Sequence, residues 1–325
     1  MSSFELIGKK EPLENIKAGI ASGRLSHAVL LSGEKGVGKK FFSKHIIKML
    51  VCQNKNKPCG ICAQCQKIDK DIHPDVFNIF PAGKSETIGV KEIAPIKASI
   101  NIKPNDADFK FFIINEAERM NKYAQNAILK MIEEPPEDSI FILTSQNSQA
   151  LLATVLSRVT KIALGPAEKE EIEAFLKKNY SDFSNEEIKE AAKNSGGNIG
   201  TAISLLQNEQ EREILKDSQT VAINIIEKDR ALLNLSLGKY SKQKTLAQNL
   251  VNNVKQIYRE AYFALAEKDS ITEVALKISQ RLSLKAILGI IDSCDRFSEN
   301  LSRNVGLSLA LTAFEIECAN IIDNK

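Results

Sequence analysis

The chain predicts an α/β fold, a parallel sheet covered by helices, followed by an all-helical C-terminal half. Three observations carry this. Residues 28–31 are a short apolar run that leads into a glycine-rich loop and then into a helical pattern. Apolar runs go on alternating with helical patterns as far as Leu164, as strand–helix–strand crossovers and a parallel sheet require. Beyond Gly165-Pro166 no strand-like run recurs. These breaks suggest a nucleotide-binding-like domain over residues 1–165, a small helical lid over 166–208 and a helical domain over 209–325.

Residues 1–26 are polar, with Leu13, Ile16 and Ile20 at helical spacing, and read as a helix. Residues 28–31 follow as the first strand, with His27 a polar residue at its entrance. Gly33, Gly36, Gly38 and Lys39 then fit a phosphate-binding loop, in which backbone N–H groups and a helix N-terminus converge on an anion. One member is wrong. Lys40 stands where a Ser or Thr hydroxyl would ligate Mg²⁺, and an ammonium cannot. The pattern implies a phosphate cradle without half of its metal chemistry.

The next helix spans residues 39–50 and runs into Cys52. Cys59, Cys62 and Cys65 follow, giving C-x6-C-x2-C-x2-C. Four cysteines this close suit a tetrahedral thiolate site, with zinc the default ion. They fill the coordination sphere, so the site should be structural, pinning a small hairpin-like insertion over about residues 52–65. His73, before Pro74, reads as a turn residue.

Residues 76–80 read as the second strand, and residues 88–93 open a helix interrupted by Pro95. Residues 109–114 are a buried strand ending at Asn115-Glu116, where a nucleotide hydrolase would carry Asp-Glu. Residues 121–133 form a helix stopped by Pro135-Pro136. Residues 139–145 are a strand ending in Thr144 and Ser145. A short helix (151–156), Ser157-Arg158 and a strand (160–164) complete the sheet. In parallel sheets ligands bind beyond the carboxyl ends of strands, where the glycine loop, Asn115 and Thr144 all fall. The rest is helical: about three short helices to residue 208, then a longer unit with Cys294 and Cys318 as core residues.

The formal net charge is only +3 in 325 residues, which does not by itself indicate a nucleic-acid binder. No apolar run spans a bilayer and no signal-peptide pattern opens the chain, so the expectation is a cytoplasmic protein with reduced thiols.

Residues 24–39, the four-cysteine insertion, residues 115–121, residues 126–136 and Leu156-Ser157-Arg158 together resemble the bacterial DNA polymerase III clamp-loader family. The resemblance is closest to its delta-prime branch. It covers the whole chain in outline and is dense between residues 24 and 164. It implies an AAA+ module with a structural zinc, a helical lid and a helical collar. It also implies partners: ATPase motor subunits and a delta-type subunit in a heteropentameric ring, and through that ring a sliding clamp and primed DNA. Motor subunits of the family carry Lys-Thr or Lys-Ser in the loop, Asp-Glu after the third strand and a lid arginine. Here these are Lys39-Lys40, Asn115-Glu116 and Thr201. The joint change implies a non-hydrolysing subunit with weak or no ATP binding, no enzyme by itself yet part of a polymerase holoenzyme. Arg158 would then act in trans as an arginine finger on a neighbour's nucleotide. Two other readings stay open: an active ATPase motor subunit, and a zinc-containing DNA-binding module on a degenerate phosphate-loop fold.

Overall fold

The computed structural model describes residues 6–83, 86–265, 272–303 and 305–323. The chain divides into two compact units. The first comprises residues 1–171 and 198–200, the second residues 172–197 and 201–325.

The first unit is built on five parallel strands. In chain order its elements are α1 (Lys10–Ala21), β1 (Ala28–Ser32), α2 (Lys39–Val51), α3 (Ala63–Asp69), β2 (Val76–Ile79), α4 (Val90–Ser99), β3 (Lys110–Ile114), α5 (Lys122–Glu133), β4 (Ser139–Ser145), α6 (Ala153–Leu156) and β5 (Thr160–Ala163). The strand order is β2-β3-β4-β1-β5, with every pairing parallel. The three inner strands are apolar along most of their length because both faces are covered. Alternate residues feed two separate cores. Leu30, Phe112, Ile114, Phe141 and Leu143 pack with Ile93, Ile96 and Ile128 of α4 and α5. Val29, Leu31, Phe111, Ile113 and Ile142 pack with Phe42, Ile46 and Ile47 of α2. On the first face Phe77, Phe112 and Phe141 stack across three adjacent strands, with ring centroids 5.3 and 5.2 Å apart.

Three local expectations are corrected. The first helix is shorter than residues 1–26, and residues 1–5 of that stretch lie outside those described. Pro95 does not interrupt α4, which runs through it to Ser99. Pro95 is the sixth residue of α4 and gives up the one bond its N–H would make to the Lys91 carbonyl, while the Ser99 hydroxyl donates to the Pro95 carbonyl at 2.6 Å. The cysteine segment is not a hairpin, since Cys65 stands on α3. His73 is a turn residue, as read: its Nδ1 accepts from the Asp75 N–H at 3.2 Å. Unforeseen was the fully buried Asp75 carboxylate. It accepts N–H bonds from Asn105, Asp106 and Ala107 at 2.7, 2.7 and 3.0 Å and so orders the loop before β3.

The second unit is helical. It takes in most of α7 (Lys169–Asn179), α8 (Asn185–Asn194) and most of α9 (Ile199–Gln207), then α10 (Glu209–Glu227), α11 (Arg230–Gly238), α12 (Lys244–Ala264), α13 (Glu273–Arg281), α14 (Leu284–Ser302) and α15 (Leu307–Asp323). Helix α12 packs against α10, α13 and α14, and α14 packs against α15. Tyr258, Phe297 and Phe314 lie in their common core. Cys294 and Cys318 are buried there. Burial pushes the Cys294 thiol up to about 12, so it behaves as an apolar side chain. Among the described residues no helix is long and apolar enough to cross a membrane.

Candidate functional site

The glycine loop lies between β1 and α2, beyond the carboxyl end of β1. Its form depends on glycine. Gly38 caps α2 at φ +98°. Gly36 is held at φ +86°, where a Cβ would meet the Asn198 Oδ1 at 2.5 Å. Both are backbone states that L side chains rarely adopt.

Lys39, Lys40, Asn115 and Glu116 each have a partner within the protein, whereas Ser145 Oγ, buried at the end of β4, has none. Lys39 Nζ donates to the loop's own carbonyls, Gly33 at 2.7 Å and Glu34 at 2.8 Å. Burial pushes its pKa down, against the pull of Glu118, Glu116 and Glu34. Lys40 points elsewhere. Its Nζ lies 3.5 Å from an Asp71 oxygen and 5.7 Å from the Phe80 ring centroid. Asn115 is buried, and its Nδ2 donates to the Ile79 carbonyl at 3.1 Å, beside its own N–H at 2.9 Å. A carboxylate has no proton to donate and would face a carbonyl oxygen there. The residue in the metal-ligand position is therefore a strut between β3 and β2. Glu116, at φ +51°, donates its N–H to Thr144 Oγ1 at 3.2 Å. Its carboxylate is held by Arg119 Nε at 2.6 Å, and Arg119 also binds Glu86 at 2.7 Å.

Residues 198–200 complete the loop from far along the chain. Asn198 Nδ2 donates to the Lys35 carbonyl at 2.6 Å, and the Gly200 N–H donates to the Gly36 carbonyl at 3.1 Å. The approach is close, since a Cβ on Gly200 would lie 2.7 Å from the Gly36 Cα. Sequence reasoning did not see this contact. The signal was present in the Gly-Asn-Ile-Gly run at residues 197–200, where two glycines bracket a side chain able to bond a loop carbonyl.

Of the remaining expected residues, His27 is structural. Its Nε2 lies 2.9 Å from the Ile132 carbonyl and its own carbonyl accepts from Phe141 at 2.7 Å. Thr201 is on α9. Arg158 follows α6 with its side chain 40% exposed; its Nε pairs with Glu133 at 2.8 Å, and it also donates to the Thr154 carbonyl and Ser157 Oγ at 3.1 and 3.0 Å.

The second site stands at the other end of α2. The Sγ atoms of Cys52, Cys59, Cys62 and Cys65 all lie within 4.8 Å of one another. A tetrahedral ion bound at 2.3 Å needs sulfurs about 3.8 Å apart, so the four fit one ion. Cys59 N–H points at Cys52 Sγ and Cys62 N–H at Cys59 Sγ, both at 3.4 Å. Such N–H groups favour thiolate, and backbone donors led by Ile61 and Cys62 draw the Cys59 thiol down to about 6. Cys65, buried at the base, is pushed up to about 12 by desolvation. No ligand position is left open, so the arrangement can hold an ion but presents none to a substrate.

Residues 8–168 match a family model described as DNA polymerase III, delta subunit. The chain is 33% identical over 210 residues to the DNA polymerase III subunit gamma of Buchnera aphidicola (subsp. Acyrthosiphon pisum), covering 63% of this chain but only 57% of that protein's length. It is 26% identical over 304 residues to the DNA polymerase III subunit delta' of Bacillus subtilis, covering 87% of this chain and 89% of the relative. Among solved structures the RuvB Holliday junction branch migration motor of Thermotoga maritima shares the fold, with a TM-score of 0.50 and 18% identity over 86% of this chain and 97% of that one.

Proposed function

We propose that this chain is a non-hydrolysing structural subunit of the DNA polymerase III clamp-loader family. On this reading it is a cytoplasmic stator in a ring with ATPase subunits and a delta-type subunit, helps load a sliding clamp onto primed DNA, and lends Arg158 to a neighbour's nucleotide. Zinc fills the four-cysteine cluster.

The observation that carries the reading is the use made of the two metal-ligand positions. Lys40 is engaged by Asp71 and Phe80, and the Asn115 amide bridges to Ile79. Lys40 has no oxygen to offer Mg²⁺, and Asn115 offers a neutral amide oxygen where a carboxylate would bring charge. Glu116 is paired through one oxygen with Arg119, in an ion pair as exposed as that of Arg158. Arg158 is exposed and held in a surface ion pair with Glu133. Such pairs contribute about 0–1 kcal/mol, so a stronger anion can recruit the guanidinium.

The test is turnover and binding together. Calorimetry of the purified chain with ATP, with and without Mg²⁺, is expected to show no metal-dependent binding, and the isolated chain no ATPase. Arg158→Ala is expected to slow hydrolysis by the reconstituted assembly; an arginine finger contributes ~10³-fold or more. Mg²⁺-strengthened ATP binding with turnover lost on Lys39→Ala would instead establish an active ATPase. An unchanged assembled rate would remove the finger.

A further inference from the structure

Charge is distributed very unevenly in this chain. Residues 35–72 contain nine lysines, two aspartates and neither arginine nor glutamate, a formal +7 in a chain of +3, so everything else sums to −4. Four thiolates around a divalent ion would still leave this segment at +5. The segment is a structural block, made of α2, the cysteine loop and α3. Helix α2 packs on α3, and Pro58 and Gly60 of the loop line a small cleft with Phe41, Lys44, His45 and Lys48 of α2.

Apart from Lys35 and Lys39 of the glycine loop, the lysines form two classes. Lys40 and Lys44 are spoken for by Asp71 at 3.5 and 2.9 Å, Lys48 by Asp69 and Lys67 by Asp106. These tie the block together. Lys55, Lys57 and Lys70 are exposed and, among the described residues, pair with no carboxylate. Large apolar side chains stand out between the cations: Phe41 is 47% exposed and Phe80 48%, the latter under the Lys40 ammonium.

We propose that this block is a binding surface for single-stranded nucleic acid, engaged through its phosphates and through stacking on exposed rings. Three arguments select this partner. Unpaired lysines on an extended loop are point charges without fixed geometry, which suits a sequence-independent polyanion. Half-exposed phenyl rings among cations form the stacking-and-charge combination of single-strand sites. The cleft holds only about 30 Å³, room for about one water and too little for the buried anchor that a protein partner would insert. The surface is independent of whether the chain hydrolyses ATP.

The test is fluorescence anisotropy of the full chain, metal content verified, against a labelled oligothymidylate of about twenty nucleotides over a range of salt. Binding at low salt that weakens steeply with salt is expected. Each lysine on a phosphate adds roughly 0.7 to the single-strand salt slope. Lys55→Glu, Lys57→Glu and Lys70→Glu together should therefore lower the slope by about 2 and the low-salt affinity by at least about tenfold. Phe41→Ala should weaken binding severalfold with the slope unchanged, a separation that a purely electrostatic surface would not give. No binding by the parent chain at low salt would overturn the proposal, as would a triple variant that keeps its metal together with the parent's affinity and slope. A duplex competing as well as the single strand would overturn the stacking assignment.

Discussion

Two motifs sit at the two ends of α2 and have met opposite outcomes. At its C-terminal end four cysteines keep every ligand, with all Sγ atoms gathered around one point. At its N-terminal end the phosphate loop keeps its glycines and lysine, yet the side chains that would handle the metal are turned to other partners: Lys40 to Asp71, Asn115 to Ile79, Glu116 to Arg119. The difference shows what retention of a motif means physically. A ligand cluster needs all its members for one interaction and fails as a whole. A glycine loop of this kind is also a turn between a buried strand and a helix, a role that does not depend on the side chains around it.

Substitutions at each end of α2 test this difference. The largest effect is expected at the cysteine end. Cys65→Ser removes one of four ligands at a buried position and should abolish stoichiometric metal binding and open residues 52–65 to proteolysis. Metal analysis and limited digestion would show it, and a variant retaining a full metal equivalent and parental protection would end the comparison. At the loop end, Gly36→Ala places a Cβ 2.5 Å from Asn198 Oδ1 at φ +86°. A loss of about 2–4 kcal/mol in denaturant unfolding is expected, with ATP binding no better than before. Asn115→Asp should cost about 1–3 kcal/mol at neutral pH, the penalty of an unsatisfied buried polar group. If Asn115→Asp combined with Lys40→Thr instead restored Mg²⁺-dependent ATP binding, the loop would be a nucleotide site two substitutions from use and not a repurposed turn.

A pH effect lies between the two ends. His45 on α2 has its pKa drawn from 6.5 to about 4, by burial first and then by Lys48 and Lys17. A depressed histidine is neutral in the folded chain but protonates once unfolded. Its contribution to stability is therefore whole above about 6.5 and is lost as pH falls toward about 4. His45→Gln should flatten that part of the stability–pH curve. The smallest effect is at Arg158. Its pair with Glu133 is about two-fifths exposed on each side, so Arg158→Ala should change the stability of the isolated chain by less than about 1 kcal/mol. A larger loss would make Arg158 a structural residue.

Much of the first unit was legible in the sequence because strand and helix signals there are local. The apolar runs at residues 109–114 and 139–145 became β3 and β4, and the Pro-Pro at 135–136 ends α5 as a backbone rule requires. The cysteine cluster was legible because its ligands lie within fourteen residues of one another. What escaped was non-local. Nothing near Asp75 announces that its carboxylate will organise residues 105–107. Pro95 looked like a break because proline disfavours a helix interior, yet Ile93 and Ile96 on either side of it are buried in the core and hold α4 through it. Asn115 could be read from sequence as a lost acid, but not as an amide that donates to Ile79.

The bond from Asn198 to the carbonyl of Lys35 joins residues 163 positions apart. A ribosome adding ~5–20 residues per second exposes the glycine loop roughly ten to thirty seconds before the residues that close it exist. During that interval the strand, the loop and α2 have emerged while Gly36 still lacks its neighbour. The last act in building the first unit is therefore performed by a stretch made after its final strand, so the unit cannot reach its finished form until synthesis has passed into the helical half.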